Sequence, residues 1–204
     1  MIAIVDYGVG NLFSLKSSFH SIGEEAIVTS DEKVLAQADK IIFPGVGAFG
    51  DAAAKLHEGG LGEAVIREAK KGKPIMGICL GMQLLFEKGY EYGVHDGLGL
   101  IPGDIRSISE VIDPSLKIPQ IGWNALHFNG KKHPLFRYIN EGDFVYFVHS
   151  FHGVNCEDSV IATTDYGGTV TAAVAHENVW GCQFHPEKSG TVGLKILKAF
   201  CEEE

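Results

Sequence analysis

Short apolar runs alternate with longer amphipathic stretches through the first half of the chain. Residues 2–5, 26–28, 40–43 and 74–78 are apolar runs of strand length. The segments near 12–22, 51–56, 61–71 and 82–86 carry apolar residues at helical spacing. Such alternation predicts parallel strands joined by crossover helices. The second half changes character: 118–126, 144–149, 160–164, 170–176 and 179–184 all read as strands, with Glu177-Asn178 as a hairpin turn. A helix over about 191–201 closes the chain. The pattern predicts an α/β fold: a mostly parallel open sheet flanked by helices, with an antiparallel extension in the C-terminal half. Residues 1–204 read as a single domain, without repeats or linkers.

Composition narrows the partners. With 204 residues, 45% of them apolar, the chain can bury one sizeable core. A formal charge of −9 disfavours nucleic acid or an anionic membrane as the main partner. No apolar run approaches the roughly 18 residues of a transmembrane helix, and the start Met1-Ile2-Ala3-Ile4-Val5-Asp6 lacks the basic region of a secretion signal. Cys79, Cys156, Cys182 and Cys201 form neither a CxxC pair nor a disulfide framework. A reducing, cytoplasmic setting is expected.

Chemistry concentrates where strands end. Gly77-Ile78-Cys79-Leu80-Gly81 lies between a predicted strand and a predicted helix, the layout of a nucleophile elbow. Glycine on both sides of the cysteine suits a sharp, crowded turn, and a helix N-terminus favours the thiolate. Downstream, His185-Pro186-Glu187 follows a strand, and an extended chain would put the imidazole and the carboxylate on one face. Cys79, His185 and Glu187 thus supply a nucleophile, a base and a group that orients the base. Acyl chemistry also needs oxyanion donors: the Leu80 N–H is one candidate, and the Gly45-Val46-Gly47 loop, through Val46 and Gly47, is placed to give another. Asp6–Asn11, Pro44–Gly47, Cys79 and His185–Glu187 all follow predicted strands, so this architecture would gather them at one rim.

Two rival readings fare worse. Gly45-x-Gly47-x-x-Gly50 matches a dinucleotide fingerprint in form, yet no acidic residue ends the next strand, which runs into Cys79. Nine histidines offer neither HxH nor HExxH, and His149 and His152 would face opposite sides of a strand, so no metal site is expected.

Taken together, these residues resemble the class I, triad-type glutamine amidotransferases. The likeness is carried by Gly77-x-Cys79-x-Gly81-x-Gln83 and His185-Pro186-Glu187. Across the whole chain it extends to the glutaminase subunits of imidazole glycerol phosphate synthase, through Asp6-Tyr7-Gly8-x-Gly10-Asn11, Pro44-Gly45-Val46-Gly47-Ala48-Phe49, Gly122-Trp123-Asn124, His149-Ser150 and Gln183-Phe184-His185-Pro186-Glu187-Lys188-Ser189. The resemblance implies hydrolysis of glutamine by Cys79, His185 and Glu187 without a cofactor. It implies that Gln83, Glu91, Ser150 and the backbone at Gly47 and Phe151 hold the glutamine. Ammonia would pass to a (β/α)₈ cyclase subunit that makes imidazole glycerol phosphate and aminoimidazole carboxamide ribonucleotide in histidine biosynthesis.

The resemblance further implies a partner contact through Asn11, Pro119, Gln120, Trp123 and Lys188. It also implies an oxyanion loop that is completed only when the cyclase holds its ligand. Gln120 and Phe151 depart from the histidine and tyrosine common in that family. The alternatives are an amidotransferase subunit of another synthase, such as pyridoxal phosphate synthase, an autonomous cysteine amidase or peptidase, and an inactive docking subunit.

Overall fold

The computed structural model describes residues 1–203. Its first half holds strands β1 (Ile2–Val5), β2 (Ala26–Thr29), β3 (Lys40–Gly45) and β4 (Ile75–Cys79). The helices between them are α1 (Leu12–Ser21), α2 (Glu32–Gln37), α3 (Phe49–Gly59) and α4 (Leu61–Lys70). Directly after β4 comes α5 (Leu80–Leu84), followed by β5 (Phe86–Gly89), β6 (His95–Asp96) and β7 (Ile101–Ser107). The remaining strands are β8 (Gln120–Ala125), β9 (His127–Phe128), β10 (Phe144–His149), β11 (Phe151–Val154), β12 (Val160–Asp165), β13 (Thr169–His176) and β14 (Val179–Cys182), before helix α6 (Gly190–Cys201).

The main sheet has the order β2-β1-β3-β4-β14-β13-β12-β9. Its first five strands pair in parallel. The last three continue it antiparallel, so the expected fold class stands. Every residue of β1 is buried, as befits a strand covered on both faces. Ile2 and Ile4 join α1 (Leu15, Phe19) and α6 (Ile196, Phe200) in one apolar cluster. Ala3 and Val5 join α2 (Leu35), α3 (Leu56) and α4 (Val65) in the other. One consequence matters for chemistry: β1, β3, β4 and β14 all point their carboxyl ends at the same rim.

Three features depart from the sequence expectation. Helix α2 was not foreseen, because six residues with one buried side chain, Leu35, carry too little periodicity; only its Asp31 cap, which accepts from the Lys33 N–H at 2.8 Å, marks it. The helix expected over 82–86 begins at Leu80 and stops at Leu84, while Phe86 opens β5. Its next carbonyls are taken from outside, Leu84 O by the Leu98 N–H at 2.8 Å and Leu85 O by the Leu100 N–H at 2.8 Å. Finally, β11-β7-β5-β6 forms a second, four-stranded sheet and β10-β8 a two-stranded ribbon. The chain crosses between them at Ser150, which separates β10 from β11.

Candidate active site

The turn at Cys79 is strained. Its backbone sits at φ 53°, ψ −113°, an uncommon conformation for a residue with a side chain. The flanking glycines are there for close approach: a Cβ on Gly81 would lie 1.8 Å from the Phe43 carbonyl oxygen, and one on Gly77 would lie 2.6 Å from Met82 Cα. The elbow is thus pressed between β3 and the start of α5, and Cys79 is held at the rim. Helix α5 has only five residues, so its dipole is a weak aid and the neighbouring side chains matter more.

Beyond β14 the chain brings His185 to the same rim. It does not stay extended, as the spacing suggested: Pro186–Lys188 forms a single 3₁₀ turn, which proline at its start favours. The turn still brings the two side chains together, with His185 Nδ1 2.8 Å from Glu187 Oε1. Both are almost fully buried, at 2% and 1% side-chain exposure. His185 Nε2 makes no hydrogen bond of ordinary geometry among the described residues, yet Cys79 acts strongly on the ring. Burial opposes charge on the imidazole, and the interactions with Cys79 and Glu187 overcome it, raising its pKa to about 9.

Burial keeps the other three cysteines protonated. Burial pushes Cys156 and Cys201 up to about 12 and Cys182 well above the ordinary thiol range.

A cavity of about 370 Å³ opens beside Cys79 and His185, a volume suited to a small polar metabolite. Val46, Gly47, Leu80, Gln83, Glu91, Pro119, Ser150, Phe151 and Lys188 line it. Of the expected residues, Glu187 stands behind His185, and Asn11, Gln120 and Trp123 lie away from the cavity. Glu91 Oε2 accepts from the Phe49 N–H at 2.8 Å. Gln83 is buried, and its amide nitrogen donates to Phe151 O at 3.1 Å and Gln183 Oε1 at 3.0 Å.

Sequence reasoning gave no role to Gln183, Tyr7 or His149. Gln183 Nε2 lies 3.6 Å from Cys79 Sγ; its separation of two from His185, on a strand's continuation, was the available signal. Tyr7 donates its hydroxyl to Pro44 O at 2.8 Å, directly before the Gly45-Val46-Gly47 loop. Burial and the nearby Cys79 raise its pKa far beyond the ordinary phenol.

The β8–β10 ribbon gives this rim an outer wall. Trp123 pairs with Tyr146 and Ile121 with Val148, so these side chains share one face. That face is exposed, Ile121 at 60%, Trp123 at 51% and Phe144 at 55%. Trp123 meets the Tyr146 ring edge-on at 6.0 Å, and the Lys188 ammonium lies 5.9 Å from the same ring. Alternation puts Gln120 on the opposite, inner face, and it is fully buried. Its amide meets His149 Nε2 at 3.0 Å and Asn124 Oδ1 at 3.0 Å. In the isolated chain Gln120 thus braces the ribbon from inside, because a residue one step from Ile121 faces the other way.

Comparison with known proteins agrees with this geometry. The family model for class-I glutamine amidotransferases matches residues 3–203. The chain is 49% identical over 203 residues to imidazole glycerol phosphate synthase subunit HisH of Sulfurimonas denitrificans, covering 98% of this chain and 97% of that one. It is 48% identical over 204 residues to the same-named subunit of Wolinella succinogenes, covering 99% of each. Among solved structures, PurLQS from Thermotoga maritima superposes with a TM-score of 0.76 at 22% identity, covering 98% of this chain and 96% of that one. A crystal structure of a glutamine amidotransferase gives 0.76 at 18% identity, covering 99% and 98%. The chain belongs to the class-I glutamine amidotransferase family, and within it to the HisH subunits of imidazole glycerol phosphate synthase.

Proposed function

We propose that this chain is the glutaminase of imidazole glycerol phosphate synthase and uses Cys79 as its nucleophile. The observation that carries the reading is the meeting of a strained, elbow-borne Cys79 with a Glu187-bound His185 at one cavity. Cys79 Sγ gives its proton to His185 before attack, and the sulfur, paired with the imidazolium, then adds to the carboxamide carbon of glutamine. The Leu80 N–H and an N–H of the Val46-Gly47 loop hold the oxyanion. His185 then gives its proton to the departing amine, which leaves as ammonia, and a glutamyl thioester remains. Water, deprotonated by His185, attacks the thioester and releases glutamate. Glu187 fixes the tautomer of His185 and stabilises the imidazolium.

Glu91, with a carboxylate at the cavity wall, pairs with the substrate ammonium group. Ser150 and the backbone at Gly47 and Phe151 hold the rest of the amino acid. Both hydrogens of the Gln83 amide are already engaged, so Gln83 contributes its Oε1 alone.

The partner is a (β/α)₈ cyclase subunit that docks on the exposed ribbon face around Trp123, with Pro119 and Lys188 at the mouth of the site and Asn11 also in the contact. Ammonia passing directly to it escapes protonation in bulk water, and the cyclase converts it to imidazole glycerol phosphate and aminoimidazole carboxamide ribonucleotide. Withdrawal of one oxyanion donor in the uncoupled chain would cost about 2.7–4 kcal/mol of transition-state stabilisation, enough to make glutamine hydrolysis depend on the partner. Four free cysteines suit the cytoplasm. No helix among the described residues is long and apolar enough to cross a membrane. The test is Cys79→Ala in the two-subunit complex: glutamine-dependent synthesis is lost and synthesis from added ammonia persists. Retained glutamine use would overturn the reading.

A further inference from the structure

The direction of a buried hydrogen-bond chain can be worked out from one atom that has no choice. Phe151 O is a backbone carbonyl and can only accept. Gln83 lies 3.1 Å from it and must therefore present its NH₂ there, whichever way the amide is first drawn. That same NH₂ lies 3.0 Å from the Gln183 side chain, which must answer with its oxygen. The Gln183 NH₂ is then left facing Cys79 Sγ, 3.6 Å away. Gln183 is fully buried and its own N–H is held by Ala172 O at 2.8 Å, so the side chain starts from a fixed backbone.

We infer that Gln183 is a positioning residue that donates an amide hydrogen bond to the Cys79 sulfur and favours its thiolate. A thiol at this place can also donate to Val148 O, 3.9 Å away; a thiolate cannot, and holds only the bonds it accepts. The Gln183 donor therefore gains strength when the proton leaves, because hydrogen bonds to a charged acceptor are about twice as strong as neutral ones. No proton moves to Gln183, which stays neutral throughout. The chain Phe151–Gln83–Gln183–Cys79 also ties the sulfur to the backbone of the cavity wall, so a shift at Phe151 reaches the nucleophile through two amides.

This inference rests on Cys79 being the nucleophile, and the experiment separates the two. Two variants are made in the full two-subunit complex. Gln183→Glu keeps the acceptor for Gln83 and turns the donor into a second acceptor; Gln183→Met removes the amide at similar length. The readout is the rate of iodoacetamide alkylation of the Cys79 peptide against pH, followed by mass spectrometry. The midpoint rises by about one unit in Gln183→Met and further in Gln183→Glu, a tenfold or greater loss of thiolate at a given pH. Ammonia-dependent synthesis stays at the wild-type rate and reports an intact complex. Should Gln183→Glu not assemble, Gln183→Met decides alone. Superimposed alkylation profiles overturn the role of Gln183. Alkylation of wild-type Cys79 that leaves glutamine use intact overturns the nucleophile itself.

Discussion

Replacing Glu187 with glutamine tests how the site charges its imidazole. In the native chain the His185 ring rises from 6.5 to about 9, although burial works against it. At 1.36 kcal/mol per unit, the interactions with Cys79 and Glu187 exceed the burial penalty by about 3 kcal/mol. Glu187 acts through a 2.8 Å hydrogen bond and a buried charge. Glutamine keeps an acceptor of the same shape and removes the charge, so the ring pKa falls by about one unit or more. The assay is the pH dependence of glutamine-dependent kcat/KM in the two-subunit complex, with the His185 ring followed directly by NMR. The alkaline limb, set by loss of the imidazolium proton, starts near 9 and moves down in the variant. Stability follows the same sign: a folded pKa above the unfolded one stabilises fully below 6.5, and that gain is lost as pH rises through 9. The variant is therefore weakest relative to native below 6.5, and the gap narrows above 9. Alkaline limbs that coincide would refute the argument.

Three further outcomes follow from particular contacts. Trp123→Ala removes a half-exposed aromatic from the ribbon face and weakens binding of the cyclase subunit by about 2 kcal/mol, roughly thirtyfold by calorimetry; unchanged affinity would move the interface elsewhere. Gly81→Ala drives a methyl to within 1.8 Å of Phe43 O and costs at least 1–3 kcal/mol in urea unfolding, read as a lower midpoint. Tyr7→Phe leaves Pro44 O without its donor and costs about 1–3 kcal/mol of stability; glutamine-dependent kcat falls with it as the Gly45-Val46-Gly47 loop loosens, while ammonia-dependent turnover does not change.

The sequence was most legible where a pattern had one physical cause. The apolar runs of β1, β3 and β4 could only be strands buried on both faces, and the Gly77 and Gly81 bracket proved to mark backbone contacts that exclude any side chain. The strand at β8 was legible too, but the inward bonds of Gln120 to His149 and Asn124 were not, because they depend on how the ribbon pairs. Helix 82–86 was misplaced because its carbonyls bond to residues 98–101, a tertiary choice that local spacing does not encode. Glu187 met His185 through a 3₁₀ turn in place of an extended strand, with the same partners reached by another path. Gln183 went unread because its meaning depends on Gln83, a hundred residues earlier.

The central claim is that the Cys79 sulfur takes the acyl group from glutamine. Acid quenching of the working two-subunit complex, followed by mass spectrometry of the peptide that carries Cys79, tests it directly. The account predicts a glutamyl adduct on Cys79 that forms with glutamine, is absent with ammonia alone and accumulates when water attack is slowed. Turnover with an unmodified Cys79 under those conditions, or an adduct on another residue, would contradict it.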